Sequence, residues 1–221
     1  MNGRAILTSL QLALATTTVL IAIGIPLAYW LAFSTRRWKF LIESAVAMPL
    51  ILPPTVLGFY VLVALGPRSP VGRLSERLFG TTLPFTFKGL VIASTLYSLP
   101  FAVQPIASAF GSVNRRLIEA SWTLGVSRTG TFRRVIVPQS IAGLVTGAVL
   151  SFAHTIGEFG VVLMVGGNIE GQTRTISIAI YDDVQALNYA QANSTALLLV
   201  AFSFAVLATV YGLNRKVLIS S

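Results

Sequence analysis

An all-α membrane protein is the fold class this sequence predicts, and three observations carry that expectation. Of 221 residues, 54% are hydrophobic and only 10% are charged, whereas roughly a quarter of a soluble globular domain is charged. The apolar residues gather into five runs long enough to cross a bilayer, which takes about 20 residues of helix. The cations collect at the ends of those runs, which is how membrane proteins fix their orientation. The whole chain, residues 1–221, reads as one transmembrane domain of about five, at most six, spanning helices.

The first span is placed at 8–33, with a kink at Pro26. The apolar run from Ala5 to Phe33 far exceeds the roughly 7–15 residues of a signal-peptide core. It ends in charge, so it reads as a span that the mature protein keeps. The second span, 41–65, carries Pro49 and the pair Pro53-Pro54. The third, 87–110, carries Pro100 and Pro105. The fourth is placed at 135–165 and the fifth at 194–213. Prolines inside a span free backbone carbonyls that neighbouring helices or a water-filled cavity must satisfy. A bundle with so many breaks is expected to enclose a pathway rather than act as an anchor.

Five spans put the termini on opposite sides. Arg36, Arg37, Lys39, Arg115, Arg116, Arg128, Arg133, Arg134, Arg215 and Lys216 fall on one side. Arg4, Arg68, Arg73, Arg77, Lys88 and Arg174 fall on the other, over longer loops. The richer side is predicted to be cytoplasmic, with the N-terminus outside and the C-terminus inside. The external loops are then 66–86 and 166–193. The second contains TISIAIYDDVQAL, too short to span, and is expected to form a short helix at the mouth of the bundle.

Composition also excludes several classes of function. The chain has no cysteine, so disulfides and thiolate metal sites are ruled out. Its single histidine, His154, cannot make a histidine metal cluster. The net charge of +9 would point to nucleic acid in a soluble protein, but here the cations cap spans, and no nucleic-acid partner is expected. There is no Gly-x-x-x-x-Gly-Lys-Ser/Thr loop, so the chain is not itself an ATPase. A membrane enzyme would need a polar catalytic cluster, and His154 with Glu158 is the one candidate pair.

The segment EASWTLGVSRTGTFRRVIVP, Glu119 to Pro138, interrupts two very apolar stretches. A helix starting near Val113 places Val113, Leu117, Ala120 and Leu124 on one stripe. Gly125 follows where a helix ends in a left-handed residue, and Ser127 can cap a second helix. That second helix carries Arg133 and Arg134 and enters the fourth span through Pro138. The expectation is helix, tight turn, helix over about 113–134, lying across the cytoplasmic end of the bundle. Such a segment can rest on lipid or dock as a knob into a groove on a partner.

These residues resemble a known family. Permease subunits of ABC importers carry Glu-Ala-Ala, three residues, Gly, nine residues, then Ile-x-Leu-Pro. Here Glu119-Ala120-Ser121 is followed by Gly125, and nine residues later by Val135, Val137 and Pro138. Ser121, Val135 and Val137 depart conservatively from the pattern. The resemblance implies that Glu119, Ala120, Ser121, Leu124, Gly125 and Pro138 form a coupling helix that fits a cleft of a separate ATPase subunit. MPLILPPTVLGFYVLV, SFAHTIGEFGVVLMVGGN and EGQTRTISIAIYDDV are similar to permeases for tetrahedral oxyanions, and most of all to the molybdate type. Tungstate and sulfate permeases share GEFG and the following Gly-Asn. The resemblance further implies alternating access, a second copy of the chain, two cytoplasmic ATPase subunits, an external oxyanion-binding protein and a surrounding inner-membrane bilayer. It places ATP and magnesium on the ATPase and no cofactor on this chain. An ion-coupled secondary transporter is the different-class alternative, and it would not need the Glu119–Pro138 pattern.

Candidate pore or gate residues are Pro53, Pro54, Thr55, Ser151, Thr155 and Glu158. A break at Pro53-Pro54-Thr55 exposes backbone donors and a hydroxyl, the groups a tetrahedral oxyanion needs. Glu158 lies deep in the fourth run, where a carboxylate must face the bundle interior or find partners. One reading makes it a gate element; the other makes it a hydrogen-bonded pin between helices, helped by Gly157 and Gly160. His154, four residues earlier, is expected to share its helix face. Arg174 is either a steering cation or a solvated surface group. Gly143 and Gly147 form a Gly-x-x-x-Gly pair suited to close helix contact.

Overall fold

The computed structural model describes residues 3–219, with side chains throughout except at Phe79 and 213–219. Arg215 and Lys216, assigned above to the cytoplasmic end, and Leu213, the predicted end of the fifth span, lie on the α12 backbone, and their side chains are outside those described. Among the described residues twelve α-helices follow one another, with one 3-10 turn and one π turn between them. Among the described residues three helices are long and apolar enough to cross a membrane: α1 (Gly3–Phe33), α5 (Phe87–Gly111) and the 189–212 part of α12 (Tyr189–Ile219). Two bent pairs complete the set. One is α2 (Lys39–Ala47), its 3-10 extension Met48–Leu50 and α3 (Pro54–Leu65), bent by 112°. The other joins 128–139 to α9 (Ile141–Gly157) with a 72° bend.

The predicted second span is therefore two limbs rather than one rod. Pro49 sits in the 3-10 turn, and Pro53 caps α3 with an extended backbone, ψ 135°. Pro54 at the first helical position loses no hydrogen bond that a helix start would have made. By contrast Pro26, Pro100 and Pro105 lie inside helices that continue through them. The predicted fourth span, 135–165, is also corrected. It comprises the π turn Phe132–Ile136, α8 (Val137–Gln139), α9 and α10 (Gly160–Gly166). Ser140 breaks it first, and Glu158-Phe159 breaks it again, with Glu158 in extended conformation at ψ 134°.

The bundle is built on α1, α5 and α9. Leu20, Ala28, Ala102, Val103 and Ile106 are completely buried between them. Gly143 and Gly147 are spent inside the chain. A Cβ on Gly147 would lie 2.9 Å from the Ala102 carbonyl oxygen, and one on Gly143 would meet Ala109. The pair thus seats α9 on α5. At one end, Leu31, Val46, Phe110, Val113, Ile118 and Ile136 share a core cluster. Arg36, Arg37, Lys39 and the five arginines of 115–134 therefore belong to the same end of the molecule.

At the opposite end Phe85 donates its backbone N–H to the Val165 carbonyl, 2.8 Å. Here α11 (Ile176–Gln185) is the expected short helix, and its Ile176 N–H donates to Ser9 Oγ of α1 at 2.8 Å. The segment 66–86, read from the sequence as an external loop, contains a further helix, α4 (Pro70–Phe79).

Candidate functional site

Three arrangements carry the candidate residues. The first is the cation-rich end. The stretch following α5 forms α6 (Arg115–Thr123), a turn, and α7 (Arg128–Thr131). Asn114 caps α6, its Oδ1 accepting from Arg116 N at 3.0 Å. Gly125 adopts φ +76°, and Val126 N donates back to the Ser121 carbonyl, 3.0 Å, the six-to-one closure of a Schellman turn. Ser127 caps α7 by accepting from Gly130 N at 3.2 Å.

The inner face of this knob is Val113, Ile118 and Ser121, all buried. The hydroxyls of Ser121 and Thr131 hydrogen-bond at 2.7 Å and pin α6 to α7. Phe132 packs edge-on against Tyr29 and Phe110, at 5.3 and 5.8 Å between ring centres. This corrects the expected stripe. Val113 points inward, but Leu117, Ala120 and Leu124 point away from the bundle, and Leu124 is 83% exposed. Glu119, Gly125, Pro138 and the unanticipated Trp122 are exposed beside them. Ser121 alone of the six coupling candidates is structural. Its departure from the Ala of the family pattern supplies the hydroxyl that reaches Thr131.

The second arrangement is a depression of about 530 Å³ midway along the bundle, lined among others by Pro54, Thr55, Tyr97, His154, Gly157 and Glu158. It forms where two chain breaks meet. Gly160 starts α10 against Pro54, where a Cβ would come within 2.8 Å of the proline Cβ. The Leu-Pro-Pro and Gly-Glu-Phe-Gly stretches are thus one structural feature. His154 and Glu158 share the depression but are not a pair. His154 Nδ1 hydrogen-bonds Ser98 Oγ at 2.9 Å and stacks on Phe101 at 3.9 Å. The break after Gly157 carries Glu158 off the helix face that an i, i+4 spacing assumed. Its carboxylate is 4% exposed and faces the Ser94 hydroxyl without completing a hydrogen bond. Of the hydrogen-bonded pin read from the sequence, what is present is the approach of Glu158 to Ser94 of α5.

Ser151 and Thr155 lie inside the bundle, not on the depression. Ser151 Oγ donates to the Gly147 carbonyl at 2.7 Å, and Thr155 Oγ1 to the Ser151 carbonyl at 2.9 Å. Thr155 also meets Ser98 at 3.1 Å. Pro53 and Thr55 are exposed.

The third arrangement is a polar clip at the other end. Asn168 Nδ2 donates to both oxygens of Asp182, at 2.9 and 2.8 Å. Arg174 Nε donates to Asn168 Oδ1 at 2.6 Å, and its guanidinium reaches Asp182 at 3.4 Å and Glu170 at 3.9 Å. Arg174 is neither a free steering cation nor a solvated one. It is held between two carboxylates and ties the Gly-Asn loop to α11. Spacing alone could not show this, because the partners are 4 to 14 residues apart across a turn.

Known proteins match along nearly the whole chain. The family model for "binding-protein-dependent transport system inner membrane component" matches residues 24–219. The molybdenum transport system permease of Azotobacter vinelandii is 51% identical over 211 residues, 96% of this chain and 93% of that protein. The corresponding permease of Escherichia coli K12 is 36% identical over 82% of this chain and 80% of its own length. Among solved structures, a bacterial ABC transporter that imports alginate superposes with a TM-score of 0.76, at 17% identity, over 96% of this chain and 78% of that one. An inward-facing methionine ABC transporter superposes with 0.73, at 18% identity, over 98% and 96%. These distant structures share the fold. With the family model and the close relatives, they establish that this chain belongs to the inner-membrane permease components of binding-protein-dependent ABC import systems.

Proposed function

We propose that this chain is the membrane-spanning subunit of an ATP-driven importer for molybdate, working by alternating access. One observation carries the coupling reading: a rigid knob of α6, Gly125 and α7 is pinned from behind by buried groups, and it presents Glu119, Ala120, Leu124 and Gly125 outward at the cation-rich end. A pinned knob transmits force, whereas a mobile loop would absorb it. It supports docking onto an ATPase subunit, which holds the ATP and magnesium while this chain binds no cofactor. The cation-rich end is then cytoplasmic, the N-terminus is external and the C-terminus is internal.

The depression at Thr55 and Glu158 is open on one side, which suits half of a translocation path completed by a second copy. Two copies, two ATPase subunits and an external oxyanion-binding protein make the working assembly, embedded in lipid. Molybdate as cargo rests on the names of the two close relatives and on the near-complete length of the match. Tungstate and sulfate are the competing cargoes.

The test is ATPase activity of the reconstituted assembly with loaded binding protein. We compare molybdate, tungstate and sulfate, for the parent and for Glu119→Ala combined with Gly125→Val. Stimulation that the double substitution abolishes is the expected result, and the ion order names the cargo. Stimulation untouched by the substitutions would overturn the coupling assignment, and uptake without ATP would favour an ion-coupled carrier.

A further inference from the structure

Helix α4 has three different faces. Ser69 Oγ accepts from Gly72 N at 2.8 Å to start it, and Gly80 ends it at φ +66°. One face turns inward. Ser75 is buried, and Gly72 packs so close to the Leu65 and Gly66 carbonyls that a Cβ has no room. A second face holds Arg73, Glu76 and Arg77, all exposed. The third holds Val71, Leu74 and Leu78, spaced i, i+3, i+7 and 51–66% exposed. Three large aliphatic groups in water on a ten-residue helix are costly, because apolar surface is driven out of water. A helix with one packed, one charged and one apolar face fits the boundary between membrane and water.

The surroundings supply the second observation. The apolar face borders a groove of about 500 Å³ that is lined by α4 together with Leu83, Phe87, Val91 and Ile92. Ile92 and Leu96 continue the same exposed apolar surface along α5, a helix of spanning length. The groove is therefore continuous with the flank of a span. Lys88, the second residue of α5, is among the residues that line the groove.

We propose that α4 lies in the external surface of the membrane, and that the groove between α4 and α5 holds the acyl chain of a bilayer phospholipid. The α4 helix then acts as a lipid-seated brace between the bent second span and α5. This rests on reading α5 as a membrane span, and it is independent of the cargo.

The chain has no cysteine, so single nitroxide labels can be placed at Leu74→Cys, Leu78→Cys, Arg73→Cys and Glu76→Cys. A label at Leu96→Cys, further along α5 and outside the groove lining, serves as the span reference. The full chain is reconstituted in vesicles of phosphatidylethanolamine and phosphatidylglycerol. Collision with oxygen, which dissolves in lipid, is compared with collision with a water-soluble nickel chelate. Labels at 74 and 78 should favour oxygen several-fold, as at 96, while labels at 73 and 76 favour nickel. Nickel access at 74 and 78 equal to that at 76 would overturn the proposal by placing the face in water. Shielding of 74 and 78 from both reagents would overturn it by placing protein, a second copy or another subunit, on the groove. A water-exposed reference at 96 would instead sink the underlying reading of α5. Replacement of a native leucine by tryptophan at 78, with brominated phospholipid as quencher, repeats the measurement without a label.

Discussion

Gly157 and Gly160 stand three residues apart and meet opposite surroundings. A Cβ at Gly157 would have nothing within 4 Å, whereas one at Gly160 would press on Pro54. Gly160→Ala should therefore destabilise the chain by about 1–3 kcal/mol, the usual range for overpacking, and lower its thermal midpoint in detergent. Gly157→Ala should leave the midpoint unchanged or slightly raised, since alanine favours helix, while placing a methyl in the depression where transport would feel it. Equal midpoints for the two variants would show that the Pro54–Gly160 contact does not hold α10. The same stretch marks where residue-level reading stopped. His154 and Glu158 look like neighbours at i, i+4, and no proline or glycine between them other than Gly157 signals the break. The extended Glu158 backbone is a tertiary outcome of α10 packing on Pro54, which no local pattern of residues encodes.

At the scale of elements, helix ends were more legible than helix interiors. The turn at Gly125 and the cap at Ser127 follow from side chains that act locally. The inner and outer faces of α6 do not, because both carry apolar residues and only the bundle decides which is covered. Gly125→Val should cost about 1–2 kcal/mol for the left-handed backbone. The cost is confined to the knob, so hydrogen exchange should rise at 119–131 and stay unchanged in α1 and α5. Exchange rising throughout would mean that the knob is an integral part of the fold. The Pro53-Pro54 break was legible for a similar local reason, and its 112° angle was not. Replacing both prolines by alanine should let α2 and α3 approach one helix, displacing Thr55 from the depression. Membrane insertion should persist while transport falls at least tenfold. Transport at the parental level would show that the bend is incidental. The α4 helix carries apolar residues at 71, 74 and 78, a helical spacing, but Gly66, Pro67, Ser69 and Pro70 just before it are residue types that break regular structure and mask it.

For the whole molecule, the composition and cation pattern announced a membrane bundle because the bilayer imposes them on any such chain. The two bent spans do what a straight bundle cannot: they bring Thr55 and Glu158 to the same depression from opposite breaks in the chain. That depression is open on one side, so in the two-copy assembly proposed above its exposure to either aqueous compartment would depend on how the two bundles lean together. If ATP binding draws the coupling knobs inward, the path should open outward. A Thr55→Cys variant of this cysteine-free chain measures that directly in the reconstituted assembly. A membrane-impermeant thiol reagent added outside should modify Cys at this position several-fold faster with ATP trapped than without nucleotide, and the same reagent added inside should show the reverse order. Equal rates in both states, or protection from both sides, would remove Thr55 from the path and leave the depression as a packing defect between α3 and α9.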